Sequence, residues 1–327
     1  MKRRTILRAV LGTAVSGVAG MGAASLWLRP VQERQGLREF VAADLAFGTT
    51  VSLKVLHENE AAARAAMRAA LDAVRDIDRL MSLYRPDSEI SRLNRDGVVE
   101  RPDARVVQVL RHAQALSQDT GGAFDVTVQP LWLAAASGGD RDQALRRVDW
   151  RQLTVDKDRI ALRRPGMAVT LNGVAQGYGV DVALAALQQH GITHALLDTG
   201  EFATLGRRDD GQPWTLGVRD PRDADAIAQR VAADGRCMAT SGDYETRFGD
   251  GYAKHHIFDP ATGESPAELA SVTVLAPTGL QADGLSTAMM VIGSERALQL
   301  AASLRDVDVL CIDKDGRQRR SAGFPQA

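Results

Sequence analysis

His194-Ala195-Leu196-Leu197-Asp198 and, after a turn, Ala203-Thr204-Leu205-Gly206-Arg207 open the half of the chain that decides its fold. From His194 onward short apolar runs alternate with turns, and 195–198, 203–207, 214–218, 236–240, 255–258 and 271–275 read as strands. Helical periodicity returns at 283–292 and 295–302, and 307–312 closes as a strand. Upstream, helices dominate. In 62–81 Met67, Leu71, Val74, Ile77 and Met81 form one apolar stripe, with arginines on the other side. A second helix, 105–120, is stopped by Gly121-Gly122, and two more cover 125–136 and 173–190. Strands are predicted at 45–57, interrupted by Gly48-Thr49-Thr50, and at 168–171. Residues 82–94 read as polar loop or short helix, and the polar stretch 141–165 has short strand candidates near Leu153 and Ile160. Runs of strands with helices before and after predict an α+β fold, with mixed or antiparallel sheets and flanking helices.

The 327 residues are 45% hydrophobic, enough to bury a substantial core. A net charge of -1 and 5% aromatic residues exclude a nucleic-acid-binding footprint. Cys237 and Cys311 are too few for a disulfide scaffold, and fit either two buried thiols or one disulfide. Arg3-Arg4 before the uncharged, Gly- and Ala-rich segment 9–28 has the layout of an export signal of the twin-arginine type. Gly22-Ala23-Ala24 offers a small-residue cleavage site; the alternative is an uncleaved anchor. With no cysteine there, a lipoprotein anchor is not expected, and the expected location is the periplasm. The expected organisation is a signal segment 1–28, a short linker 29–44, a catalytic unit 45–315 of one or two lobes, and a polar tail 316–327.

Two stretches carry chemistry. His255-His256-Ile257-Phe258-Asp259-Pro260 puts two imidazoles beside a carboxylate. In a strand these neighbouring side chains would face opposite ways. Ala282-Asp283-Gly284-Leu285-Ser286-Thr287 places a carboxylate and a hydroxyl four residues apart at the start of an apolar helix. That spacing stacks both oxygens on one helix face, and hard oxygen ligands suit Mg²⁺. A proton-handling His near such a site suggests phosphoryl-group chemistry. Each stretch alone also has a plain reading, as a polar His pair and as a helix cap. Gly-rich turns recur at 121–125, 172–179 and 240–243, where backbone amides can approach a phosphate or a flat ring. No dinucleotide fingerprint or P-loop is present.

Taken in order, these stretches, with Ser82-Leu83-Tyr84-Arg85 and Ser88 to Asn94 before them, resemble the FAD:protein FMN transferases, the ApbE family. The likeness runs from about Phe47 to Ile312, and His-His-Ile-x-Asp-Pro and Ala-Thr-Ser-Gly-Asp-Tyr are its most specific parts. The resemblance implies an enzyme that cleaves FAD and attaches FMN through a phosphoester to a Thr or Ser of a partner flavoprotein, releasing AMP. It implies Mg²⁺ held by Asp283, Thr287 and the Gly173 carbonyl, with His256 taking the proton of the target hydroxyl. Phe47, Tyr84, Ala123, Phe124, Asp125 and Ile257 would line the flavin or adenosine site, with Ser241 near the phosphates. The sequence departs from the family at Thr170, where Asp is usual, and at Gln176, where Lys or Glu is usual. Both could still hydrogen-bond FAD, each with one charge fewer. Ser286 stands where some members have a further Asp. Two other readings share the residues: a non-catalytic FAD-binding carrier or assembly factor for a respiratory complex, and an Mg²⁺-dependent FAD pyrophosphatase.

Overall fold

A computed structural model of the chain describes residues 26–28, 33–34 and 36–327, so nearly all of the expected export segment lies outside the described residues. Short strands β1 (Leu26–Leu28) and β2 (Glu33–Arg34) precede β3 (Leu37–Ala46), which pairs antiparallel with β4 (Thr49–His57). Phe47 and Gly48 make the connection with φ of 53° and 75°, the left-handed pair that a two-residue hairpin requires. The expected strand 45–57 is therefore the end of one strand and the whole of the next, and the expected linker 29–44 contains most of β3. The cause is the mixed composition of β3. Phe40 and Ala42 are buried, but Arg38, Glu39 and Asp44 between and around them hide the alternation from a hydropathy reading.

Helix α1 (Glu60–Met81) starts on Asn59, whose side chain accepts the Ala62 amide at 3.0 Å, and buries the expected apolar stripe. The polar stretch after it resolves into α2 (Glu89–Asp96), capped by Ser88. Next come β5 (Val98–Glu100), α3 (Ala104–Asp119), α4 (Gln129–Ser137), α5 (Arg141–Leu145), β6 (Leu153–Val155) and β7 (Arg159–Leu162). β5, β7 and β6 form a small antiparallel sheet. α4 begins later than its sequence pattern, because Asp125 first caps a single 3₁₀ turn over Val126–Val128. Residues 168–171 join no sheet. The Asn94 carboxamide takes the place of a neighbouring strand, donating to the Val169 carbonyl at 2.8 Å and accepting its amide at 2.6 Å.

The rest is α6 (Ala175–Gln189), β8 (Ala195–Asp198), β9 (Phe202–Leu205), β10 (Thr215–Arg219), β11 (Ile227–Ala232), β12 (Cys237–Gly242) and β13 (Leu269–Ala276). It closes with α7 (Gly279–Ile292), α8 (Ser294–Ser303), β14 (Asp308–Asp313) and β15 (Gln318–Arg320). One ten-stranded sheet, ordered β1-β3-β4-β8-β9-β12-β13-β14-β15 with β2 also on β3, is antiparallel throughout. The α+β class with antiparallel sheets and flanking helices is what the chain adopts.

All eight residues of β13 are buried because both its faces are covered. Val272, Val274 and Ala276 point into the core shared with α7, and Leu275 points into the one shared with the β10–β11 hairpin. Strand β11, with Gln229 and Arg230 at its centre, escapes a hydropathy reading. Residues 255–258 are not a strand; a single bridge joins His255 to Arg247. The tail is not free either: β15 pairs with β14, and Phe324 is buried beside Leu310 and Ile312. Burying one Phe contributes about 1.5–3 kcal/mol, enough to seat a short polar segment. Cys237 and Cys311 are buried free thiols on β12 and β14, with β13 between them.

Candidate active site

Helices α6 and α7 touch at two glycines, and each caps the other. Val174, at the α6 N-terminus, offers no side-chain cap. Asp283 of α7 supplies one, its Oδ2 accepting the Gly177 amide at 2.9 Å. In return Asp181 of α6 accepts the amides of Gly279 at 2.6 Å and Leu280 at 2.9 Å, the first turn of α7. A methyl group on Gly177 would lie 2.5 Å from the Gly279 carbonyl carbon and 2.7 Å from Asp283 Cβ, so only glycine permits this approach. α7 starts on Thr278, earlier than its sequence pattern. Asp283 therefore sits in the second turn and is no cap of its own helix.

That geometry aims the 283–287 face at one spot. Ser241 Oγ lies 2.7 Å from Ser286 Oγ and 3.2 Å from Thr287 Oγ1, while the Ser286 hydroxyl also lies within hydrogen-bond reach of the Asp283 carbonyl oxygen at 2.9 Å. A methyl group on Gly173 would sit 3.0 Å from Thr287 Oγ1 and 3.4 Å from the Phe124 ring. The structure thus brings Gly173, Ser241, Asp283, Thr287 and Phe124 together. Among the described residues no three His, Cys, Asp or Glu side chains gather as a metal cluster. A cation here would take a mixed oxygen set of carboxylate, hydroxyl and backbone carbonyl, which is hard-cation chemistry.

The charge balance points the same way. Asp283 is 4% exposed, and among the described residues no cationic side chain pairs with it. Burial above all pushes its carboxyl up to about 7. Glu201, which the sequence reading missed, is also buried, its Oε2 accepting the Thr240 amide at 3.2 Å. Burial and then the Asp283 charge raise it well above the ordinary carboxylate range. Its only sequence signal is a carboxylate in the Gly turn between two short apolar strands. Burial of two neighbouring carboxyls with no cationic side chain paired to them favours their protonated forms and makes the doubly charged pair costly. A bound divalent ion would offset that cost, and the oxygen set fits one.

His256 lies on the long segment between β12 and β13. Its amide donates to the Thr246 carbonyl at 3.0 Å. Burial lowers the imidazole below its ordinary value, against the opposing pull of the Thr246 carbonyl and Glu245, so it is neutral at neutral pH. A neutral imidazole is the form that accepts a proton. His255 is fully buried: its Nε2 meets the Pro266 carbonyl at 3.2 Å, and burial lowers it to about 4. The two rings stand 6.5 Å apart at 71°. With no strand here the two rings form an edge-on pair in place of the opposed faces that the strand reading expected, and they differ in burial, His255 being an interior anchor. Ile257, 5% exposed, packs in the core that holds Phe124 and Leu285.

Comparison with known proteins agrees. A family model described as the ApbE family matches residues 47–311. The chain belongs to the ApbE family. It is 33% identical over 279 residues to the FAD:protein FMN transferase of Haemophilus influenzae, covering 78% of this chain and 81% of that one. The Treponema pallidum protein of the same name is 30% identical over 325 residues and 89% of each chain. Among solved structures, the ApbE protein of Thermotoga maritima superposes with a TM-score of 0.79 at 26% identity, over 88% of this chain and all of that one. The Vibrio cholerae flavin transferase ApbE gives 0.75 at 28%, covering 92% and 98%.

Several residues that ApbE resemblance marks as flavin-lining are placed less openly. Asp125 is buried, its carboxylate bound by the Thr127 amide (2.7 Å) and hydroxyl (2.6 Å) and the Trp150 amide (3.0 Å), so it frames the 121–125 turn from behind. Ala123 sits half-buried on that turn. The Phe47 amide donates to Asp78 at 2.8 Å, and its ring packs close to Gly179 on α6. Tyr84 is 56% exposed just beyond α1. Of the two departures from the ApbE pattern, Thr170 accepts the Asn172 amide at 3.2 Å. Gln176 is directed inward: its amide donates to the Thr199 carbonyl at 3.1 Å, and Thr199 returns a hydroxyl bond to Gln176 O at 3.0 Å. It ties the α6 N-terminus to the turn that carries Glu201.

Proposed function

We propose that this chain is an Mg²⁺-dependent FAD:protein FMN transferase, acting on a Thr or Ser hydroxyl of a partner flavoprotein and releasing AMP. The observation that carries the reading is the convergence of Asp283, Thr287, Ser241 and Gly173 beside a second buried carboxyl, Glu201, with no cationic side chain paired to either acid among the described residues. The names of the relatives support the flavin chemistry. Asp283, Thr287 and the Gly173 carbonyl would hold the cation. When bound, it would neutralise charge on the diphosphate, the main demand of phosphoryl transfer.

The chain's own residues supply the rest. His256, neutral by burial, takes the proton as the target hydroxyl oxygen attacks the flavin-side phosphorus and the bond to the AMP oxygen breaks. Ser241 orients a phosphate oxygen. Phe47, only partly buried, would give apolar surface for the flavin, and buried Phe124 backs Gly173. Arg3 and Arg4 support export by the twin-arginine route, and with it a periplasmic site of action on a membrane-bound respiratory acceptor.

The test is incubation with FAD, Mg²⁺ and a Thr-containing acceptor peptide. A peptide mass increased by one FMN phosphoester, with equimolar AMP, is the expected result. Free FMN with unmodified peptide would make the chain a pyrophosphatase. Bound but uncleaved FAD would make it a carrier.

A further inference from the structure

Residues 243–268 leave the sheet between two neighbouring strands and carry His256 with no regular structure of their own. Something outside the segment must fix the imidazole, because a misplacement of about 1 Å at a reacting group is costly. The β10–β11 hairpin reaches it. Arg222, in the connection between these strands, donates Nη1 and Nη2 to Asp243 at 2.7 and 2.9 Å, and Asp243 is fully buried. The same guanidinium stacks on Tyr252, its Cζ 3.8 Å from the ring centroid. Arg247, 4.9 Å from that centroid, is bridged to His255. Lys314 donates to the Tyr252 carbonyl at 3.0 Å and lies 3.7 Å from Asp243 Oδ2. Ser265 closes the far side, accepting the His255 amide at 2.9 Å and donating to its carbonyl at 2.7 Å.

We infer that Arg222 and Tyr252 are positioning residues for His256, and that the β10–β11 hairpin is the strut of the proton-accepting loop. The inference rests on His256 acting in the proposed transfer. Only a planar, forked cation satisfies both contacts of Arg222, bidentate to a carboxylate and flat on a ring. Neither residue touches Asp283, Thr287 or Ser241 in any hydrogen bond among the described residues.

The test uses Tyr252→Leu, Tyr252→Phe and Arg222→Lys in the full chain. FMN transfer gives kcat and the KM for FAD, and NMR follows the His256 imidazole, assigned with His256→Asn. Tyr252→Leu and Arg222→Lys should each lower kcat about tenfold, as a small displacement of a reacting group does, and leave KM within about twofold. Both should move the His256 midpoint up toward the ordinary value of about 6.5, as water reaches the ring. Tyr252→Phe keeps the ring and should match the wild type in both. Unchanged kcat with an unmoved His256 midpoint in the first two variants would overturn the inference. So would a Phe variant as impaired as the Leu variant, or a raised KM at constant kcat. If Tyr252→Leu does not fold, Arg222→Lys against Tyr252→Phe decides. If the wild type transfers no FMN, the functional reading fails by itself and the titration alone judges the strut.

Discussion

Asp283 Oδ2 accepts the amide of Gly177 at 2.9 Å, so the carboxylate proposed to hold the cation is also the cap of the neighbouring helix. One side chain thus serves stability and chemistry, and a substitution can separate them. Asp283→Asn keeps an acceptor for the amide and loses the charge. It should fold with near-normal Tm and transfer FMN about 10²–10³ more slowly, the usual effect of losing one charge-stabilising group. Asp283→Ala should add a stability loss of about 0.5–1.5 kcal/mol, that of an ordinary hydrogen bond, because burial disfavours the charged carboxylate. Calorimetry with AMP-release kinetics checks both, and full activity in Asp283→Asn would remove the cation assignment.

Gly177→Ala tests the helix contact without touching a polar group. Its Cβ meets backbone at the Gly279 carbonyl, which cannot swing aside. A destabilisation at or above the usual overpacking range of about 1–3 kcal/mol is expected. At Gly179 the same change meets the Phe47 ring at 2.9 Å, a side chain that can yield, and should cost less. Denaturant melts of the two variants give the comparison, and a Gly177→Ala protein as stable as the wild type would refute the close-contact account.

Metal binding should depend on pH with a defined sign. Asp283 is raised to about 7 and Glu201 is raised well above its ordinary value, both first by burial. Groups raised in the folded state stabilise it fully below their unfolded values, and that stability is lost as pH rises through the folded ones. The metal-free protein should therefore lose the Asp283 contribution between about pH 4 and 7. Protons compete with Mg²⁺ over the same window, so the rise in Tm on adding Mg²⁺ should be larger at pH 8 than at pH 5. An equal rise at both would argue that no carboxylate binds the ion.

His256→Asn should leave FAD affinity and Tm near normal and slow transfer by about 10²–10⁴, the contribution of a general base. His255→Asn should instead lower Tm, because His255 is fully buried against Pro266 and Ser265. His255 also predicts an acid sensitivity. Its imidazole is lowered to about 4 when folded, against about 6.5 when unfolded. Its contribution is present above the unfolded value and falls away as pH drops toward 4. Thermal melts across pH 4–7 should show a slope that flattens in His255→Asn, and an identical slope in both would contradict its burial as a neutral group.

Export is checked by replacing Arg3 and Arg4 with lysine. Precursor should accumulate in the cytoplasm, and undiminished periplasmic protein would exclude the twin-arginine route.

Much of the fold was legible where periodicity is undiluted. The α1 stripe, the α6 span and the strands at 195–198 and 271–275 all appear close to their expected places. What failed did so for physical reasons. β3 and β11 carry charged or polar residues in mid-strand, and their partners supply the burial that their composition does not advertise. The stretch 168–171 has strand composition, but its hydrogen bonds go to the Asn94 side chain at Val169, to the Val126 carbonyl at Thr170 and to the start of α6 at Leu171, and form no ladder.

The sequence by itself determined the residue types of the site and their local spacing. Asp283 and Thr287 share a helix face because helical geometry places residues four apart together, and the ordered motifs sufficed to recognise the ApbE family. Only the tertiary structure decided which groups meet across the chain. Glu201 faces the charge of Asp283, Gln176 turns away to the Thr199 carbonyl, Asp125 is committed to the backbone of Thr127 and Trp150, and Arg222 reaches the loop of His256. The reason is that spacing along a helix is a local property of the backbone. Burial, which sets both the charge state of a carboxylate and the partner of a polar group, exists only once distant segments have packed.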